Sequence, residues 1–151
     1  MRTTPCPRTI ACLFSGKAVA ERFDAIVIGT GQAAPALCAR LDREGLKSAL
    51  IERKLLGGTC VNVGCIPTKT LVASARALHT ARRGAEYGFS AEKIEADMRS
   101  VKARKDGVVK YSSDGLAKWI DGMKNVKLIR GHARFRGPHA VSVGDRVLEA
   151  E

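Results

Sequence analysis

Apolar positions along the chain change period several times, and the changes mark out its elements. Residues 23–28 (FDAIVI) form a short apolar run suited to a buried strand, and 46–52 (LKSALIE) form a second one. Between them, Pro35 to Arg43 reads as a helix with Ala36, Leu37, Cys38 and Leu41 apolar. Thr68 to Arg83 shows a helical stripe of Leu71, Val72, Ala75, Leu78 and Ala81, and 84–90 reads as a loop. Ala91 to Met123 reads as one long helix with an intermittent stripe from Ile94 through Met98 to Trp119 and Ile120, weakened by Gly107 and Gly115. Trp119 reads as packing. Short strands follow at 125–130 and 133–135, then at 140–143 and 146–150 around a Gly144-Asp145 hairpin turn. This order predicts an α/β fold: a βαβ unit, long helices and a small C-terminal β-meander.

The first strand enters Gly29-Thr30-Gly31-Gln32-Ala33-Ala34, a G-x-G-x-x-A turn at the start of a helix. In such a turn Gly29 permits the tight bend, Gly31 permits close approach of a pyrophosphate to the backbone, and Ala34 keeps the helix near the strand. Glu52 ends the second strand 21 positions after Gly31, where an acid accepts hydrogen bonds from a ribose hydroxyl. Strand, turn, helix and acid together make this a Rossmann-like dinucleotide site. The motif does not choose between NAD and FAD.

Residues 57–69 read GGTCVNVGCIPTK, with Cys60 and Cys65 five positions apart. That spacing suits neither a zinc knuckle nor a secreted disulfide scaffold. On a regular helix the two Cα atoms would stand ~8.7 Å apart, beyond the roughly 4.4–6.8 Å of a disulfide. A bond between them needs a distorted helix start, and Gly64 and Pro67 are residue types that permit one. A strained, partly exposed pair at a helix N-terminus suits reversible redox chemistry, since the helix dipole favours a thiolate. Only seven residues separate Glu52 from Cys60, which places the pair beside the nucleotide and points to a flavin.

With these segments, GTGQAA at 29–34, ALIER at 49–53, GGTCVNVGCIPTK at 57–69 and, more loosely, GHARF at 131–135, the chain resembles the class I pyridine nucleotide–disulfide oxidoreductases. These include dihydrolipoamide dehydrogenase, glutathione reductase and mercuric reductase; Gln32, Pro35 and PTKTLVASA at 67–75 look most like the mercuric-reductase-like branch. The resemblance implies an FAD-binding domain in which Cys65 lies against the flavin as a charge-transfer thiolate and Cys60 exchanges with substrate. It implies that Lys69, four residues past Cys65, places a positive charge near the flavin; the alternative is an ordinary surface lysine. Gly57 and Gly58 would bring backbone N–H groups to the FAD phosphates with the Thr59 hydroxyl, the alternative being a plain loop. Gly131 and Ala133 would pass the adenine end, though a strand-turn glycine explains Gly131 almost as well. The family's catalytic histidine lies in a motif that His79, His132 and His139 do not match.

The resemblance further implies that 23–151 is the N-terminal part of a longer flavoprotein. Its nicotinamide-binding and dimerisation domains would lie outside this chain, so NAD(P)H and a homodimer are expectations for the intact protein, and this chain alone is expected to be inactive. A non-catalytic FAD or dithiol module and a truncated, inactive product are the competing readings. An incomplete sheet with an unpaired edge is expected.

Composition narrows little further. The 151 residues are 45% hydrophobic, with no stretch long enough to cross a membrane. Five irregularly spaced cysteines suit the reducing cytoplasm. Cys38 reads as core, and no metal-ligating cluster is apparent. The net charge of +11 invites nucleic acid, but the basic residues are dispersed among acids and there are only seven aromatics, so no nucleic-acid partner is expected. Residues 1–22 read as a disordered extension; its apolar stretch Ile10 to Phe14 is too short for a secretory core, and Cys6 and Cys12 have no metal spacing.

Overall fold

The computed structural model describes residues 20–151. Strand β1 (Glu21–Arg22) leads into β2 (Ala25–Ile28), helix α1 (Ala33–Arg43) and β3 (Ser48–Glu52). The short helix α2 (Gly58–Asn62), the longer α3 (Cys65–Arg82), a 3-10 turn (Gly84–Tyr87) and α4 (Met98–Asp121) follow. The chain then runs through β4 (Val126–Arg130), β5 (Ala133–Gly137), β6 (Ala140–Val143) and β7 (Arg146–Glu149). The fold is α/β, Rossmann-like, as the apolar periods predicted.

Two sheets stack in it. β2, β3 and β4 pair in parallel with β3 in the centre, in register from Ala25 opposite Ser48 to Glu52 opposite Arg130. β5, β6 and β7 form an antiparallel meander, and β1 adds to β7 in parallel. Side chains alternate across β3, and the alternation builds two cores. Ala49 and Ile51 pack with Phe23, Ile129, Val141, Val143 and Leu148 between the sheets. Leu50 points the other way, into a cluster with Cys38 of α1, Leu56, and Ile120 and Met123 at the end of α4. All five residues of β3 are therefore buried, and the parallel sheet is covered on both faces, which a parallel sheet needs. Fully burying a side chain such as Leu50 contributes about 1.5–3 kcal/mol.

Three sequence expectations change. The folded unit begins at Glu21, two residues before the expected Phe23: Glu21 and Arg22 pair with Leu148 and Glu149, and the Glu21 carboxylate takes ion pairs from Lys127 and Arg146. Cys6 and Cys12 lie outside the described residues. The long helix starts at Met98 rather than Ala91, because the Asp97 carboxylate caps it by accepting from the Arg99 amide at 2.9 Å, while Lys93 takes a positive φ of 48°. Gly107 and Gly115 do not interrupt α4, which runs unbroken for 24 residues. Among the described residues no helix is long and apolar enough to cross a membrane.

Candidate functional site

The C-terminal ends of β2, β3 and β4 converge where the G-x-G turn, the Gly57-Gly58 loop and the β4–β5 turn meet. Ligands of open α/β sheets bind at this edge. A cleft of about 290 Å³ lies here, lined by Ile28, Gly29, Glu52, Arg53, Gly131 and Ala133 among others. Four of the expected nucleotide residues thus share one cavity.

Thr30 ties the loops together, a role that the sequence motif did not disclose. Its hydroxyl donates to Glu52 Oε2 at 2.6 Å and accepts from the Gly57 amide at 3.2 Å, and its own amide donates to the same carboxylate oxygen at 3.0 Å. Glu52 Oε1 accepts from the Lys54 amide at 2.8 Å. Glu52 is therefore a clasp for the turn as well as a wall of the cleft. Three of a carboxylate's roughly four acceptor positions are taken within the protein. A position between two glycines, filled by the hydroxyl residue Thr30, was the available signal.

Burial pushes the Glu52 carboxyl up, but the hydrogen bonds from the Thr30 hydroxyl and the Lys54 and Thr30 amides outweigh it and hold the carboxyl below its ordinary value. A carboxyl depressed in the folded state stabilises fully above its unfolded pKa of about 4.3, and that stabilisation fades as pH falls through the folded value. Glu52→Gln is accordingly expected to lower stability at pH 7 by about 1.5–3 kcal/mol, the range for hydrogen bonds to a charged group. The gap to the unsubstituted protein should narrow below about pH 4, in the acid window of the depressed carboxyl. Thermal unfolding at neutral and acid pH checks this; an equal gap at both would show that the charged form of Glu52 is not what holds the turn.

Gly58 sits at φ 59°, and a Cβ there would stand 3.0 Å from the Gly31 Cα. The two glycine loops touch backbone to backbone, as close as side chains would forbid. α1 begins beside them with no side-chain cap and no acid in its first turn, leaving its N-terminal dipole free for an anion. Gly131 turns the chain from β4 to β5, and its amide donates to the Glu52 carbonyl at 3.0 Å. At this position packing alone calls for glycine, since a Cβ would meet Val143 Cγ1 at 2.4 Å. Thr59 is exposed on α2.

The cysteine pair stands at a break between helices, not on one helix. α2 ends at Asn62, whose side-chain amide reaches back to the Leu56 and Gly58 carbonyls at 2.8 and 2.9 Å. α3 starts afresh at Cys65, and Pro67 is tolerated in its first turn, where no intrahelical N–H bond is needed. At the break, a Cβ on Gly64 would lie 2.9 Å from the Thr59 carbonyl oxygen and 3.3 Å from the Cys60 Cα. A larger residue would hold the two turns apart. No bond joins the two sulfurs; Cys65 is exposed and Cys60 half-buried. Interaction with the Cys65 side chain, then burial and the neighbouring Cys65 charge, push the Cys60 thiol up, against the opposing pull of the Cys65 amide and of the Lys69 ammonium. Lys69 is thus close enough to act on the pair electrostatically. Cys38, by contrast, is fully buried under α1, where burial raises its thiol pKa, and it belongs to the core.

The sequence family described as pyridine nucleotide-disulphide oxidoreductase matches residues 23–151. The chain belongs to this family. A dihydrolipoyl dehydrogenase of Thermus scotoductus is 40% identical over 131 residues, 87% of this chain and 28% of that protein. A mercuric reductase of Lysinibacillus sphaericus is 32% identical over 133 residues, 87% of this chain and 24% of that protein. Among solved structures, the HOCl-induced flavoprotein disulfide reductase RclA from Escherichia coli superposes with a TM-score of 0.68 at 32% identity, covering 85% of this chain and 26% of that one. The chain therefore spans roughly a quarter of the length of these relatives. Membership makes it part of a flavin-dependent oxidoreductase family, and the relatives include both dihydrolipoyl dehydrogenases and a mercuric reductase.

Proposed function

We propose that residues 21–151 are the FAD-binding and redox-dithiol region of an NAD(P)H-dependent disulfide or metal-ion reductase that acts as a homodimer. The observation that carries the reading is the close approach of the Cys60 turn to the helix start at Gly64-Cys65, at the edge of a sheet whose loops form a dinucleotide cleft.

The residues fit the cofactor. The open α1 N-terminus and the Gly29, Gly31, Gly57 and Gly58 backbones suit its pyrophosphate, with Ala34 admitting the close helix and Thr59 offering a hydroxyl. Glu52 retains an acceptor position for a ribose hydroxyl, and Gly131 and Ala133 wall the far end of the cleft. Bound FAD supplies a two-electron carrier. The protein's own part is the sulfur chemistry. In the oxidised form the Cys60–Cys65 disulfide takes up two electrons and a proton and its S–S bond breaks, leaving Cys60 as thiol and Cys65 as thiolate. Cys60 then forms a bond to one substrate sulfur as the substrate S–S bond breaks. Cys65, as thiolate, displaces that sulfur and closes the protein disulfide again. The α3 N-terminus favours negative charge where Cys65 stands, Cys60 holds its proton longer, and Lys69 adds positive charge beside both.

Titrating the purified chain with FAD tests the binding half of the proposal. Saturable quenching of flavin fluorescence is expected, weakened at least about tenfold by Gly31→Val, which fills the approach to the pyrophosphate. A chain that folds by circular dichroism yet takes up no FAD would refute it.

A further inference from the structure

We propose that the face of the meander next to the Glu52 cleft is a second site, for a small anion carrying two or more linked phosphates. The fold gathers basic residues that are scattered in sequence. Arg130 ends β4, His132 follows the turn, and Arg134 and Arg136 lie on β5, the second at a bulge between Phe135 and Gly137, where both line the same cavity. Together with Ser142 and Gly144 they line a cavity of about 510 Å³, within the size range of small-molecule sites, and none of its lining residues is acidic.

Two of the guanidinium groups are already held in place. Arg136 Nε donates to Ser142 Oγ at 3.1 Å, and Ser142 is itself buried, paired across the strands with Arg134. Arg130 Nη1 donates to the Lys54 carbonyl at 2.9 Å. Each bond leaves other N–H groups of the fork free. A pre-fixed fork loses little freedom on binding, and Arg matches phosphate oxygens two at a time.

The charges of this face are also left uncompensated. Several described acids pair with cations elsewhere: Glu21 with Lys127 and Arg146, Asp106 with Lys102 and Lys105, Asp114 with Lys110. Among the described residues none of Arg130, His132, Arg134 and Arg136 forms an ion pair. Like charges in one concavity repel, and a polyvalent anion relieves that repulsion. The lining holds no Phe, Tyr or Trp, and the exposed Phe135 is not part of it, so the cavity lacks a broad stacking platform for nucleic-acid bases.

The test is calorimetric titration of the full chain, without flavin, with sodium tripolyphosphate at constant ionic strength. Because no flavin is involved, the result is independent of the FAD proposal. Saturable binding is expected. It should weaken at least about tenfold in Arg134→Ala/Arg136→Ala, which loses both forks. It should persist in Arg76→Ala/Arg82→Ala, which removes the same charge from α3. Should the first variant fail to fold, Arg134→Lys/Arg136→Lys keeps the charge and loses the fork, and is still expected to bind several-fold more weakly. No saturable binding, equal losses in the patch and α3 variants, or undiminished binding in the lysine pair would overturn the proposal. So would an oligothymidylate binding through the same arginines more tightly than tripolyphosphate, which would make the face a nucleic-acid surface.

Discussion

Chains carrying Cys65→Ser or Cys60→Ser are expected to form no intramolecular disulfide, whereas the unsubstituted pair closes rapidly under mild oxidation. The argument is one of proximity. The Gly64 break brings the Cys60 turn of α2 against the start of α3 at Cys65, so the two cysteines are neighbours before any bond forms. Well-oriented intramolecular groups reach effective concentrations on the order of 10⁵ M or more, so losing one partner should slow thiol loss by more than about a thousandfold at micromolar protein. The remaining thiol can only pair between molecules. A background with Cys6→Ser and Cys12→Ser removes the two cysteines outside the described residues, and Cys38 is fully buried. Peptide mapping under non-reducing conditions then reads the Cys60–Cys65 link directly. Intramolecular pairing that survives either substitution would mean that a different cysteine is the partner. In the FAD-loaded, reduced protein, Cys65→Ser should abolish long-wavelength absorption and Cys60→Ser should spare it. The reverse result would exchange the two roles.

Much of this geometry was legible from the chain because it rests on local rules. The βαβ unit announces itself by an apolar run, a glycine turn and a terminal acid, and 23–52 folded as those signals said, with shifts of about two residues at element ends. The cysteine spacing calls for a distorted helix start if the two are to bond, and the helix break falls at Gly64. What stayed hidden depends on contacts between distant segments. Thr30 is an unremarkable residue of the turn until Glu52 and Gly57 arrive against it. Gly131 reads about equally as a nucleotide-facing or a strand-turn glycine, and only the arrival of Val143, where its side chain would be, adds the packing reason for it. The basic residues look dispersed because Arg130 and Arg134 lie on strands of different sheets, and only the turn at Gly131 brings them to one concavity. The start of α4 was misplaced for a local reason: the apolar stripe extends back to Ile94, yet Asp97 offers a better cap than continued helix.

Gly58→Val is expected to destabilise the protein by about 2–3 kcal/mol and to reduce FAD binding by more than about tenfold. Two independent penalties add here. A β-branched residue is strained at φ 59°, and its Cβ would press on the Gly31 Cα at 3.0 Å and approach the Gly31 nitrogen at 3.5 Å. Relief requires the two glycine loops to part. That motion pulls on Gly57, whose amide is bonded to the Thr30 hydroxyl, and so on the clasp that orients Glu52. The nucleotide cleft and the cysteine-bearing segment are thus predicted to loosen together. Gly107→Ala is the matching control: a Cβ there meets nothing within 4 Å, the backbone is helical, and the change should add about 0.5–1 kcal/mol of stability without touching FAD affinity. Thermal unfolding and FAD titration of both variants separate the contributions. If Gly58→Val lost stability but kept its FAD affinity, the contact between the glycine loops would serve folding alone, and the coupling between cofactor cleft and dithiol would have to run through some other part of the chain.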